Sequence, residues 1–281
     1  MFWDILMDSV WDTLNLVPFL FVAYFILEYI EHNSEGKMIS VITKSHKFGP
    51  LWGSLLGLFP HCGFSAMASS FYATRVITLG TLFAVYLSTS DEMLPIFLSE
   101  GVSAVLIFQV LLVKFIVGMV FGFVIDFLFR QRHIQKDFKI HEFCDCSNCC
   151  CSDGIFYPAI KHTVKISLWI FLITLMLSLG IGFIGEDKLM FLFSGNVFLT
   201  SCVATLVGLI PNCASSVVLS KLYIENIITL PSLVSGLLVG AGLGLIVLFK
   251  MNRNLKENFA ILLGLYVIAV LSSAILQMLG F

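Results

Sequence analysis

Two short motifs place a proline, a cysteine and a serine at the same spacing within apolar stretches of the chain. The first is Pro60-His61-Cys62-Gly63-Phe64-Ser65 and the second, at an offset of 151 residues, is Pro211-Asn212-Cys213-Ala214-Ser215-Ser216. Imidazole, thiolate and oxygen groups are metal ligands, and proline leaves backbone carbonyls without a helical partner. We therefore predict a binding site and ion pathway that includes His61, Cys62, Ser65, Asn212, Cys213 and Ser216. The alternative is that small Cys and Ser side chains only allow close helix packing.

A run of hydroxyls and carboxylates, Ser88-Thr89-Ser90-Asp91-Glu92, interrupts the apolar segment Val76–Leu98 in its predicted outer half. Such groups are costly against lipid, so they face protein, water or an ion unless they form an extracellular turn. We predict that Ser90, Asp91 and Glu92 line the ion pathway. Asp91 and Glu92, together with His61 and Asn212, are the predicted metal ligands. This oxygen-rich set suits a manganese-like divalent ion better than a thiophilic one.

A third polar group, Glu28-Tyr29-Ile30-Glu31-His32, ends the first apolar run. Glu28 and His32 are four residues apart, so a helix places them on one face with Glu31 nearby. This spacing is compatible with a proton or cation relay formed by Glu28, Glu31 and His32. It is equally compatible with a collar of solvated groups at the membrane surface.

The segment from His141 to Cys151 contains five of the eight cysteines of the chain. In the cytoplasm thiols stay reduced, so a dense cysteine cluster indicates metal binding before disulfides. Cys-x-Cys and Cys-x-x-Cys spacings can offer several sulfurs to one soft ion such as zinc. Palmitoylation is an alternative, as is the absence of a function. The predicted ligands are His141, Cys144, Cys146, Cys149, Cys150 and Cys151.

The elements that must position these groups are membrane-spanning helices. Of the 281 residues, 58% are hydrophobic and 12% are charged, which excludes an ordinary soluble domain. Several apolar runs approach the roughly 20 residues that a helix needs to cross a bilayer, whereas the ten-residue alternation of spanning strands is not visible. The runs are Leu14–Ile30, Val102–Leu128, Thr163–Phe183, Ile227–Phe249 and Phe259–Leu279. We predict an all-α integral membrane protein.

The two Pro-x-Cys-x-x-Ser motifs belong to a longer internal repeat. At the offset of 151 the flanks share Leu55/Leu206, Gly57/Gly208, Leu58/Leu209, Ser69/Ser220, Tyr72/Tyr223, Ile77/Ile228, Thr78/Thr229, Leu79/Leu230 and Leu82/Leu233. Three crossings and one Pro-broken re-entrant hairpin per copy force the copies into opposite orientations. The prediction is two inverted-topology repeats with about ten helical segments and a substrate site at their midplane interface. The predicted parts are residues 1–130, a loop over 131–162, and residues 163–281.

The distribution of basic residues predicts how the chain is oriented. Lysines and arginines follow the first apolar run, fill the central loop and precede the last run, so these segments are expected to be cytoplasmic. Both termini should be extracytoplasmic in a multi-pass protein of the cell membrane. The acidic amino terminus lacks the basic region of a cleaved signal, so we expect the first helix to be retained. Lys114 lies within a span and needs a partner, for which Glu28, Asp91, Glu92 and Asp126 are the candidates.

Taken together, these motifs resemble a family of ten-helix heavy-metal exporters of bacteria and archaea, whose members are named arsenic efflux permeases or manganese transporters. The resemblance covers nearly the whole chain. It implies efflux of a toxic metal or metalloid. The segments that carry it are Glu28–His32, Pro60–Ser65, Ser88–Glu92, the His/Cys loop with Gly154-Ile155 and Lys161-His162-Thr163, and Pro211–Cys213.

We therefore predict a secondary transporter of a divalent metal ion that uses exchange for protons, because no phosphate-cradling loop is present, and the resemblance implies that the direction is export. An arsenical exporter that uses Cys62, Cys202 and Cys213 is the alternative. A membrane metalloenzyme would need a motif such as His-Glu-x-x-His, which is absent, so we predict no enzyme activity. A cytosolic metal sensor is a further alternative. The expected partners are the bilayer, the metal and protons, with room for a homodimer and no indication of nucleic acid.

Overall fold

The computed structural model describes residues 48–59, 63–90, 93–133 and 197–280, with separate helical positions between 7 and 25 and between 156 and 176. Ten helices lie within these ranges, and no strand is found among the described residues. Three helical runs are long and apolar enough to cross a membrane: Ala104–Phe129, Leu230–Met251 and Leu255–Met278. The predicted all-α class is confirmed for the part of the chain that the structure describes.

The helices fall into two groups of five. The first group is α1 (Gly49–Gly57), α2 (Gly63–Ala73), α3 (Leu79–Ser88), α4 (Met93–Ser99) and α5 (Ala104–His133). The second group is α6 (Val197–Gly208), α7 (Cys213–Ile224), α8 (Leu230–Val239), α9 (Leu243–Met251) and α10 (Leu255–Met278). At the offset of 151 residues, α8 has the same bounds as α3, and α10 begins where α5 begins.

The turns before α3 and α8 have the same conformation. Arg75 and Asn226 occupy equivalent positions and have φ angles of 64° and 59°, in the left-handed region that ends many helices. Behind them, the Val76 amide donates to the Phe71 carbonyl at 2.8 Å and the Ile227 amide donates to the Leu222 carbonyl at 2.9 Å. Both turns are therefore closed by the same hydrogen bond, which is local support for the sequence repeat.

Close helix contacts at equivalent glycines build each group. α1 packs along α3, and α6 packs along α8. A Cβ atom on Gly57 would lie 2.7 Å from the Val85 carbonyl oxygen, and one on Gly208 would lie 2.1 Å from that of Gly236. Only glycine fits at such distances, so the sequence identity Gly57/Gly208 reflects a packing requirement.

The two groups pack against each other through two equivalent helix–helix contacts. α2 of the first group packs against α9 of the second, and α7 packs against α4. α3 and α8 are buried along their lengths at the centre, and α5 and α10 cover them. Large apolar side chains are exposed on the outer faces of α5 and α10, as lipid contact requires: Val105, Phe108, Leu112, Phe259, Leu263 and Leu271 are examples.

The predicted continuous spans Val76–Leu98 and Ile227–Phe249 are each interrupted at the middle. Helix α3 ends at Ser88, where the Ser88 and Thr89 hydroxyls each donate to a carbonyl of the preceding turn at 2.7 Å. Helix α8 ends before Gly240, and Gly242 has a φ of 52°. The hydroxyl run thus lies at the end of α3, where the Ser88 and Thr89 side chains satisfy carbonyls of the last helical turn.

Candidate functional site

The interruption between α3 and α4 and the interruption between α8 and α9 meet in the interior. We call this region the central crossing and define it as Leu58, Ser90, Asn212 and Gly240 with the residues next to them. The Ser90 hydroxyl donates to the Leu58 carbonyl at 2.9 Å, which joins the α3–α4 interruption to the end of α1. Ser88, Thr89 and Ser90 are all buried. The structure therefore brings the hydroxyl run to the chain segment that leads into the first Pro-x-Cys-x-x-Ser motif.

Ser65 of the first motif packs directly on α9 of the other group. A Cβ atom on Gly244 would lie 2.8 Å from the Ser65 Cβ, so the two backbones touch. One turn later, the Ser69 hydroxyl lies 2.7 Å from the Gly244 carbonyl oxygen and 2.6 Å from the Tyr86 hydroxyl. These contacts fix α2 against both α3 and α9 at the central crossing.

The second motif lies at the same crossing on the α7 side. Asn212 is buried immediately before α7, and the Ser215 hydroxyl donates to the Asn212 carbonyl at 2.7 Å. Ser216 is also buried, and a Cβ atom on Gly240 would lie 3.6 Å from its hydroxyl oxygen. Ser220, the equivalent of Ser69, is buried and its hydroxyl has no hydrogen-bond partner in the described part of the chain.

Lys114 of α5 reaches the central crossing with its ammonium group. The residue is 1% exposed, and its Nζ donates to the Thr89 carbonyl and, at 2.9 Å, to the Leu237 carbonyl. Asp126 is excluded as its partner, since twelve residues along one helix span about 18 Å. Asp126 instead accepts from the Thr78 hydroxyl at 2.7 Å and the Gly80 amide at 2.8 Å, at the start of α3.

A charged cluster lies at the end of the molecule where α3 begins. Arg75 forms a bidentate pair with Glu257 at 2.7 and 2.8 Å, and the Tyr72 hydroxyl donates to the same carboxylate. The hydrogen bonds to Glu257 raise the pKa of the Arg75 guanidinium above its ordinary value. Arg75 precedes α3, which begins the interrupted run α3–α4, and Glu257 follows α9, which ends the interrupted run α8–α9. The pair therefore places the beginning of the first run beside the end of the second.

Four predicted site residues, Ser65, Ser90, Asn212 and Ser216, are therefore found at the central crossing. Cys213 begins α7, but its side chain lies outside the described part of the chain. Cys202 contacts Tyr266 on α10. The remaining predicted residues lie outside the described ranges: Glu28, Glu31, His32, His61, Cys62, Asp91, Glu92, His141, Cys144, Cys146, Cys149, Cys150 and Cys151. Within the described ranges, no group of three or more His, Cys, Asp or Glu residues is placed to hold a metal.

Three residues of the crossing were missed as site residues in the sequence. Ser69 had a usable signal, because it follows Ser65 by four residues and therefore shares its helix face. Lys114 was identified only as a buried charge that needs a partner. No sequence pattern identified Tyr86 as a site residue, because the Gly244 carbonyl to which its hydroxyl donates at 3.1 Å is far away along the chain.

A comparison with protein-family models matches residues 2–155 to the family described as "Putative, 10TM heavy-metal exporter". The match covers more than half of the chain and includes the first motif, the hydroxyl run and the cysteine-rich loop. Searches of curated proteins and of solved structures gave no match. The family is one of multi-pass membrane proteins, in agreement with the three membrane-length helical runs. The chain belongs to this family of ten-helix heavy-metal exporters.

Proposed function

We propose that the chain is a secondary transporter that exports a divalent, manganese-like metal ion through the central crossing. The observation that carries the proposal is the hydrogen bond from Ser90 to the Leu58 carbonyl. Asp91 follows Ser90 directly and His61 is three residues from Leu58. Consecutive Cα atoms are about 3.8 Å apart, so connectivity alone limits the Cα atom of Asp91 to about 4 Å from that of Ser90 and the Cα atom of His61 to about 11 Å from that of Leu58.

The donors proposed for the ion are mainly oxygens. Asp91 and Glu92 supply carboxylates, His61 supplies one nitrogen, and Asn212 supplies an amide oxygen beside backbone carbonyls at the helix interruptions. Carboxylate and carbonyl oxygens with one imidazole suit manganese better than a thiophilic ion. Ser65, Ser90 and Ser216 are buried and are proposed to complete the polar lining of the site.

We infer an inverted-topology repeat, with hairpins α1–α2 and α6–α7 that enter from opposite faces. Three contacts support this inference. Gly49 and Gly57 lie beside Thr81 and Ser88, so α1 and α3 run in the same direction. The Arg75–Glu257 pair makes the two central interrupted runs antiparallel. The reciprocal packing of α2 on α9 and of α7 on α4 is the exchange that an inverted pair produces.

The orientation and the energy source complete the proposal. Arg75 lies at the same end as Lys250, Arg253 and Lys256, which the positive-inside rule assigns to the cytoplasm, with both termini outside. Export is proposed to use protons, with Glu28, Glu31 and His32 as the relay. The His/Cys loop over 141–151 is proposed to bind a soft metal such as zinc on the cytoplasmic side and to tune transport.

The metal class is tested by comparing two pairs of variants for resistance in an exporter-deficient host. His61→Ala and Asn212→Ala should abolish manganese resistance, because each removes a proposed ligand. Cys62→Ser and Cys213→Ser are the matched controls from the same motifs and should retain it. Loss of arsenite resistance in the serine variants, with no manganese phenotype in any variant, would overturn the manganese proposal in favour of an arsenical exporter, because serine cannot replace a thiolate toward arsenic.

A further inference from the structure

The Lys114 side chain joins the two interrupted runs in the middle of the molecule. Its buried ammonium donates to the carbonyl of Thr89, just after α3, and to the carbonyl of Leu237, in the last turn of α8. One acceptor therefore comes from each group of five helices. A full positive charge in the protein interior is costly unless such groups solvate it.

The interruptions themselves leave these carbonyls available. In a continuous helix the Leu237 carbonyl would accept from the Ala241 amide, but that amide donates to the Val239 carbonyl at 2.6 Å. The Thr89 carbonyl lies beyond the last residue of α3. Carbonyls at helix ends carry the negative end of the helix dipole, which favours a cation.

We propose that the Lys114 ammonium is the tethered occupant of a monovalent-cation site formed by the Thr89 and Leu237 carbonyls. Backbone carbonyls replace the hydration shell of potassium in channel filters, so such oxygens accept either an ammonium or a free ion. The two carbonyls that hold the ammonium are therefore proposed to hold a free monovalent ion, such as potassium or ammonium, when the side chain is removed.

A tethered cation has a consequence for transport. Because Lys114 is part of the chain, it fills the site without dissociating, and the protein needs no free monovalent ion there. Removing the side chain should convert a permanent contact between the two groups into one that depends on the ions in solution. This consequence does not depend on which metal the protein exports.

The experiment compares Lys114→Ala with Lys114→Met in the full-length protein. Alanine opens space for an ion, whereas methionine fills most of that space without charge. All proteins are extracted in potassium chloride and exchanged, at equal ionic strength, into potassium, ammonium, sodium or N-methylglucamine chloride. The apparent unfolding temperature of the alanine variant should be about 5 °C higher in potassium and ammonium than in N-methylglucamine, through ligand linkage. The wild type and the methionine variant should show no such difference.

Three results would overturn the proposal. The alanine variant could unfold at one temperature in all four salts, which would mean that no ion enters. The methionine variant could respond to potassium as strongly as the alanine variant, which would place the effect elsewhere. The alanine variant could fail to fold in potassium chloride, which would show that a free ion does not replace the lost ammonium.

Discussion

At the scale of single residues, ionised and hydroxyl side chains in this apolar chain are used to satisfy helix ends. Asp126 shows this most clearly, because its carboxylate accepts from the Gly80 amide and the Thr78 hydroxyl at the start of α3. A negative charge at a helix amino terminus is favourable to the helix dipole. Its equivalent in the second group, Gln277, donates to the Ser201 hydroxyl and carries no charge.

Replacing Asp126 by Asn should therefore lower stability. The amide keeps the shape and one acceptor but loses the charge, which costs about 1–2 kcal/mol at a partly buried helix end. For a chain of this size the apparent unfolding temperature should fall by roughly 3–6 °C. The matched control is Glu100→Gln, which removes a carboxylate from an exposed position. Equal unfolding temperatures for the two variants would contradict the role given to Asp126.

Site residues were predictable where the signal is local. Ser65 and Ser90 could be identified because a proline or a hydroxyl run in an apolar segment is costly without a reason. The contacts of Tyr86 and Lys114 could not be predicted. They depend on carbonyls of α8 and α9, more than a hundred residues away, and no local pattern records which carbonyl a helix interruption leaves free.

At the scale of elements, the apolar runs predicted helices but not their interruptions. Hydrophobicity alone cannot separate one helix over Ile227–Phe249 from the pair α8 and α9, since both halves are equally apolar. The internal sequence repeat does indicate where the interruptions fall. Gly240 and Gly242 stand at the positions equivalent to Thr89 and Asp91, so an interruption in one copy indicates an interruption in the other.

The proposed opposite entry of the two hairpins is testable by cysteine labelling on intact cells. In a background with the native cysteines replaced, Glu225→Cys after α7 and Asn254→Cys after α9 each place one thiol at an exposed position. An impermeant maleimide should label residue 225 in intact cells and residue 254 only after permeabilisation. Labelling of both positions from the same side would contradict the inverted arrangement, whichever side it is.

At the scale of the whole molecule, the two groups of helices are held together by two equivalent helix–helix contacts, one in each direction. Each group provides a partner for the hairpin of the other, through α2 on α9 and α7 on α4. Polar contacts join the groups at the central crossing, where Ser69 and Lys114 both bond to carbonyls of the other group, and at the end of the molecule, where Arg75 pairs with Glu257. A substrate site at the boundary of two such groups lies where their relative movement could expose it to either side.

The most direct test of the central claim is manganese flux in proteoliposomes with an imposed proton gradient. The wild type should move Mn²⁺ in the direction opposite to the proton flow, and Asp91→Asn and Glu92→Gln should each reduce flux at least tenfold while the protein remains folded, because an amide keeps the shape of a carboxylate but loses its charge. Glu100→Gln, at an exposed position, is the matched control and should transport normally. Normal manganese flux in both Asp91→Asn and Glu92→Gln would contradict the account and remove the metal site from the central crossing.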